Sequence, residues 1–184
     1  MNQFERIFEA VTRDERYQAN LDWGQPRRGH PEGTVRAHIA ELEGNLNRYR
    51  NRLTDNEYWK LKLLIHTHDT FKAEALSGVA IAHPRSHSSL ARSFLAEFCQ
   101  DEDLLAMVQF HDEPYALWKK QQHGASFDAA RFERLLKAIH DWNLFSAFLL
   151  IDGCTAGKDR GSLQWFLGEI EGRVESTFGA HDIQ

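Results

Sequence analysis

A mostly apolar run over residues 61–65 leads directly into His66, Thr67, His68 and Asp69, and Lys72 follows three residues beyond the aspartate. No other stretch limits the fold as tightly. A chain that drives this segment inward must find partners for its imidazoles and carboxylate, because burying an unpaired charge is expensive. Neutral imidazole and carboxylate are donors that hold a divalent metal while leaving room for water or substrate. At the end of a buried helical run, the His68-Asp69 pair faces the inside of a helical bundle. A hydrated metal held there supplies a nucleophile at neutral pH. A His-Asp dipeptide also arises by chance, so the reading depends on further ligands elsewhere in the chain.

Spacing supplies the candidates. Phe4, Ile7, Phe8 and Val11 predict a leading helix over 3–12. Residues 13–33, rich in Gly, Pro and Arg, read as a long loop, and irregular segments of that length are usually functional or disordered. Its Trp23, Arg27, Arg28 and His30 are placed to reach over a nearby cleft. Thr34 caps a helix running to about Tyr49. Val35, His38, Ile39, Leu42 and Leu46 share one face of it, which turns His38 inward. Asp55 is the expected cap of the next helix, whose face includes Tyr58, Leu61, Leu64, Ile65 and His68.

After a mixed segment over 73–82, His83-Pro84-Arg85-Ser86-His87 precedes a predicted helix over 88–98. Asp101 caps another over 104–110, ending at His111-Asp112-Glu113-Pro114, where the proline limits or restarts the helix. A polar loop is expected over 119–126. Residues 127–156 carry the longest helical pattern, with Asp152 close behind the apolar run 147–151. Lys158 and Arg160 stand in the loop 153–161, and Ser162 is the expected cap of a final amphipathic helix. Four prolines and few Val, Ile and Thr clusters also favour helices. The predicted architecture is all-α, in one domain over 1–184.

The inward-looking polar residues, in order, are His38, then His68-Asp69, then His83 or His87, then His111, then Asp152. In this order the chain resembles the HD-domain superfamily of metal-dependent phosphohydrolases, whose pattern is a His, an adjacent His-Asp and a distant Asp. The resemblance covers residues 30 to about 156 and rests on residues 31–38, 64–72 and 149–152. It implies an all-helical bundle with a central divalent metal held by His38, His68, Asp69 and Asp152. It also implies that Asp69 bridges two metals where two are present, with one of His83 and His87 joining His111 at the second. His87 can instead cap the helix after it, which favours His83. One departure is Pro84 behind His83, where relatives often carry glutamate.

The function expected from the resemblance is hydrolysis of a nucleotide or other small phosphorylated metabolite by a metal-bound hydroxide. Asp69 and Lys72 would be catalytic, and Arg27, Arg28, Arg85, Lys158 and Arg160 are the candidates for binding the substrate phosphate. His and Asp accept Mn, Fe, Co, Ni, Zn or Mg, so metal identity stays open, as does one ion or two per chain. A dinuclear-iron oxygenase of the same family is the second reading and needs both middle histidines. A metal-stabilised sensing or interaction domain without catalysis is the third.

Other histidines are expected outside the site. His66 points to a different side of the helix from His68. His140-Asp141 precedes Asp152 by twelve residues, roughly 18 Å along one helix. His123 and His181 sit in polar contexts. Trp59, Trp118, Trp142 and Trp165 read as core. The net charge of −5 gives no electrostatic reason to expect nucleic acid. Cys99 and Cys154 form neither a zinc motif nor a disulfide framework. With no membrane-length apolar stretch and no signal-like N-terminus, a cytoplasmic protein is expected. Oligomeric state is left open.

Overall fold

The computed structural model describes residues 2–124 and 127–184. Ten α-helices account for its architecture, and no strand occurs among the described residues beyond one isolated bridge between Arg27 and His30. The helices are α1 (Gln3–Arg13), α2 (Glu15–Asn20), α3 (Val35–Tyr49), α4 (Asp55–Thr67), α5 (His87–Ala96), α6 (Glu102–Phe110), α7 (Glu113–Gln122), α8 (Ala129–Ala138), α9 (Trp142–Gly153) and α10 (Gly161–Ile170). The fold is all-α, as the spacing predicts.

The centre is built from α4 and α9. In α9 nearly every side chain from Trp142 to Ile151 is buried, so the helix is apolar all round and suited only to the middle of a bundle. In α4 the buried apolar set is Leu61, Leu63, Leu64 and Ile65. Each of these side chains contributes about 1.5–3 kcal/mol by leaving water. Helices α3, α4 and α9 contact one another, α6 packs on α4, and α7 packs on α10. Among the described residues no helix is long and apolar enough to cross a membrane.

Several expectations are corrected by local chemistry. Asp14 interrupts the loop expected over 13–33: its side chain accepts from the Arg16 N–H and starts α2, which buries Tyr17. The cap of α4 is Thr54 rather than Asp55, closed by Glu57 in a reciprocal capping box. Ser86 caps α5, which starts at His87, one residue before the expected start. The single helix expected over 127–156 is two. The Asp103 carboxylate accepts from the N–H groups of both His140 and Asp141, at 2.8 Å each. Asp141 then caps α9 by accepting from Leu144. The chain turns between α8 and α9 because those two backbone donors are satisfied from outside. Helix α10 has Arg160, not Ser162, at its cap position. The stretch expected as a polar loop over 119–126 is helical as far as Gln122, and Ala125 and Ser126 lie outside the described residues.

Candidate metal centre

Three helices end at one point. His68 caps the C-terminus of α4, His111 caps that of α6, and Asp152 is the penultimate residue of α9. A helix C-terminus carries a partial negative charge from its unsatisfied carbonyls, so the convergence favours a cation. His38 enters from the first turn of α3, His87 is the first residue of α5, and Asp69 directly follows α4.

These residues form two groups that share one carboxylate. In the first, ligand atoms of His38, His68 and Asp152 lie within 4.8 Å of one another. His38 Nε2 is 3.0 Å from Asp152 Oδ1, and His68 Nε2 is 3.5 Å from Asp69 Oδ2. In the second, Asp69, His87 and His111 meet the same limit of 4.8 Å. There the other oxygen, Asp69 Oδ1, lies 3.7 Å from His87 Nε2 and 3.5 Å from His111 Nε2. Asp112 Oδ2 stands beside that group, 3.2 Å from His87 Nε2 and 3.7 Å from His111 Nε2. Donors about 2.0–2.2 Å from one ion stand about 3.0–3.5 Å apart around it, which is close to the spacing in both groups.

The tautomers agree with that use. His68 Nδ1–H donates to the carbonyls of Leu64 and Ile65, both at 3.1 Å, so its Nε2 lone pair faces the group. That buried Nε2 has no hydrogen-bond partner among the described residues. His111 Nδ1–H likewise donates to the Val108 carbonyl at 2.8 Å. An orphaned imidazole nitrogen beside two carboxylates is the donor set a divalent ion needs.

Electrostatics separates the two groups. Burial holds the His68 imidazole down at about 3, so it stays neutral. At His111 burial also opposes charge, but the Asp112 and Asp69 carboxylates prevail and raise it above the ordinary 6.5. Asp69 is held well below the usual carboxylate range: burial works against this, but Lys72, His68 and His111 prevail. Asp152 is lowered the same way, with Lys158 and His38 overcoming burial. A proton therefore competes for His111 at higher pH than for His68. If both groups hold ions, metal content is expected to fall in two steps as pH is lowered, the second group emptying first. Elemental analysis after dialysis at each pH checks this, and simultaneous loss from both groups would contradict it.

Behind His38 stands a further carboxylate. Glu32 Oε1 is 2.9 Å from His38 Nδ1 and 3.0 Å from His30 Nδ1. The His38 contact lacks hydrogen-bond alignment, and both His38 Nδ1 and Glu32 Oε2 are buried without partners among the described residues. His38 Nε2–H donates to Asp152 Oδ1 at 3.0 Å in this structure; for Nε2 to serve a metal its proton would move to Nδ1, the side that Glu32 faces. Glu32→Ala is expected to weaken metal affinity by about 10–100-fold, as removal of an orienting carboxylate does. A metal titration checks it, and unchanged affinity would remove Glu32 from this role.

Both groups open onto a cavity of about 600 Å³, lined among others by Arg28, His30, Lys72, Tyr115, Trp118 and Lys158. Lys72 is paired with Asp69, and Lys158 Nζ donates to Asp152 Oδ1 at 2.6 Å. Arg27 lines a small adjoining recess with His38, Asp69 and Lys72. Of the residues expected for phosphate, Arg28 and Lys158 face the cavity, as does Lys72, expected as catalytic, whereas Arg85 and Arg160 do not. Arg160 is spent on loop structure, its Nη1 donating to the carbonyls of Gly153, Thr155 and Lys158 at 2.8–2.9 Å. Arg85 is exposed and lines neither space.

The middle histidine is His87, a correction to the preference for His83. His83 is exposed and its Nδ1 accepts from the Arg85 N–H at 3.1 Å. His87 avoids capping duty because Ser86 performs it. His66 lies apart, between the Tyr17 hydroxyl at 2.5 Å and Glu43 Oε1 at 2.7 Å. His140 is exposed beside Asp103. Trp118, expected in the core, is instead half-buried on the cavity wall. The spacing argument missed Glu32, which sits in irregular chain with no periodicity to orient it. Asp112 was visible as a second His-Asp doublet, but its side chain needed α6 to end where it does.

No family model, curated protein or solved structure matches the chain.

Proposed function

We propose that the protein is a metal-dependent phosphohydrolase of the HD type, acting on a nucleotide or another small phosphorylated metabolite. The observation that carries this reading is Asp69, whose two oxygens face two separate nitrogen-oxygen donor groups on a cavity with three cationic side chains. A divalent ion bound there acidifies water and offsets charge on the phosphoryl oxygens.

The chain's own groups do the rest. His38, His68, Asp69 and Asp152 would hold one ion, and Asp69, His87, His111 and Asp112 a second. The Lys72 and Lys158 ammoniums project beside the carboxylates, and Arg28 at the exposed rim offers a planar guanidinium suited to two phosphate oxygens. These charges are in place before a substrate arrives, so they stabilise the negative charge that grows during P–O cleavage without reorganising. The loops carrying Arg28 and Lys158 meet where Pro31 packs against Gly157, leaving no space for a Cβ there. That contact holds both cations over the same cavity.

A second reading, the dinuclear-iron oxygenase, is favoured by the close approach of His87 and His111, whose Nε2 atoms are 3.2 Å apart with Asp69 Oδ1 beside both. One experiment separates the two. The protein is reconstituted with Mn, Co, Zn or Fe under anaerobic conditions, and phosphate release is screened over simple phosphomonoesters. Chelator-sensitive release without oxygen supports the hydrolase. Turnover that requires two irons per chain and oxygen replaces it with the oxygenase.

A further inference from the structure

His38 has a second side. Its Nε2–H donates to Asp152, which turns the Nδ1 lone pair toward Glu32. There, one ligand atom each of His30, Glu32 and His38 lies within 4.8 Å of the others. Glu32 Oε1 is 2.9 Å from His38 Nδ1 and 3.0 Å from His30 Nδ1, the spacing of donors around one ion. A lone pair and a carboxylate oxygen repel at that distance unless a proton or a cation lies between them. The Glu32 side chain is 10% exposed and that of His38 4%, yet Glu32 Oε2 and His38 Nδ1 lack partners among the described residues. Such buried polar atoms call for an explanation, an ion among them. The three residues also line the small recess, whose volume of about 20 Å³ admits roughly one water.

The chain here is fixed in advance. Arg27 and His30 exchange backbone hydrogen bonds at 3.0 and 2.9 Å, and a Cβ at Gly33 would meet Pro26 at 2.8 Å. Of the two cations lining the recess, Lys72 pairs with Asp69 and Arg27 is exposed, so neither neutralises Glu32 by contact. Burial lowers His30 below its ordinary 6.5, which keeps the ring neutral with a lone pair to give.

We infer that His30, Glu32 and His38 form a separate site for Zn²⁺ or a similar borderline divalent ion, and that filling it takes His38 away from the candidate centre. A neutral imidazole carries one N–H and one lone pair. With the proton on Nδ1, Glu32 accepts it and Nε2 serves the centre. With the proton on Nε2, Asp152 accepts it and Nδ1 serves the ion with Glu32 and His30. The two states exclude each other without any change in the charge of His38. Two nitrogens, one carboxylate and a water suit tetrahedral zinc. One carboxylate here stands against two in the first group, so this site is the weaker and fills at excess zinc. The protein would then lose the ion of its first group as zinc rises. That exclusion rests on the proposed centre, whereas ion binding by the three residues does not.

Zinc alone, added to the full-length protein, tests both parts. Long-range proton–nitrogen magnetic resonance spectra of the histidine rings show which nitrogen of His38 carries the proton. It is expected on Nδ1 at limiting zinc and on Nε2 at excess zinc. In His30→Ala the second state should need at least about tenfold more zinc, since even loss of an outer partner costs that much. The His30 side chain is part-exposed and its bridge to Arg27 is made by backbone, so the variant folds. Calorimetry on Asp69→Asn, which lacks the carboxylate shared by the two groups, measures the site by itself. One zinc per chain is expected, held at least about tenfold more weakly when His30→Ala is added. A His38 proton that stays on Nδ1 at every zinc level, or zinc binding to Asp69→Asn that ignores His30, would overturn the site. An ion on each nitrogen of a His38 ring without a proton would keep the site and overturn the exclusion. Zinc on Nδ1 from the first addition would keep the site and overturn the proposed centre.

Discussion

On the proposed reading, Asp69→Ala is expected to abolish phosphate-ester turnover and metal binding at the centre together. The reason is that one buried carboxylate serves both donor groups: Oδ2 faces His68 at 3.5 Å and Oδ1 faces His111 at 3.5 Å. Alanine removes one donor from each group and deletes the charge that balances Lys72. Loss of a Lewis acid worth several kcal/mol slows catalysis by at least about 1,000-fold. Asp69→Asn keeps the side-chain volume and tests whether charge or packing is at stake. It is expected to lose activity nearly as fully while keeping a native far-ultraviolet circular dichroism spectrum. A fully active Asp69→Ala variant with native metal content would sink the proposed centre.

Chelation gives the second large effect, on stability. The donor atoms come from α3, α4, α5, α6 and α9, and none of these groups exists in the unfolded chain, so an ion binds the folded state selectively. At a free metal concentration about 1,000 times the dissociation constant, the gain is about 4 kcal/mol. For a chain of this size that corresponds to a rise of about 8–16 °C in Tm. The same rise should vanish on adding EDTA and return with excess metal. A Tm indifferent to metal and chelator would rule out a bound ion at this centre. A metal-dependent Tm with no turnover on any phosphate ester would favour a metal-stabilised sensing domain over an enzyme.

The apolar spacing along α3, α4 and α9 determined that the chain is all-α and that His38, His68 and Asp152 turn inward. Burial is a one-dimensional pattern on a helix, and it can be read residue by residue. The same pattern could not choose between His83 and His87. That choice depended on Ser86 taking the cap and on the irregular segment before it leaving His83 in solvent. It also could not find the break at His140, because the donors freed there are satisfied by Asp103, thirty-seven and thirty-eight residues away. Glu32 and the wall made by Tyr115 and Trp118 were hidden for the same reason. A carboxylate in a loop, or an aromatic on a half-buried face, takes its meaning from what the rest of the chain brings beside it. The sequence by itself determined the all-α class and which polar residues on the apolar helix faces must be satisfied inside. Only the tertiary structure decided which partners satisfy them, because hydrogen bonds and donor groups depend on ångström-scale distances between segments far apart in the chain.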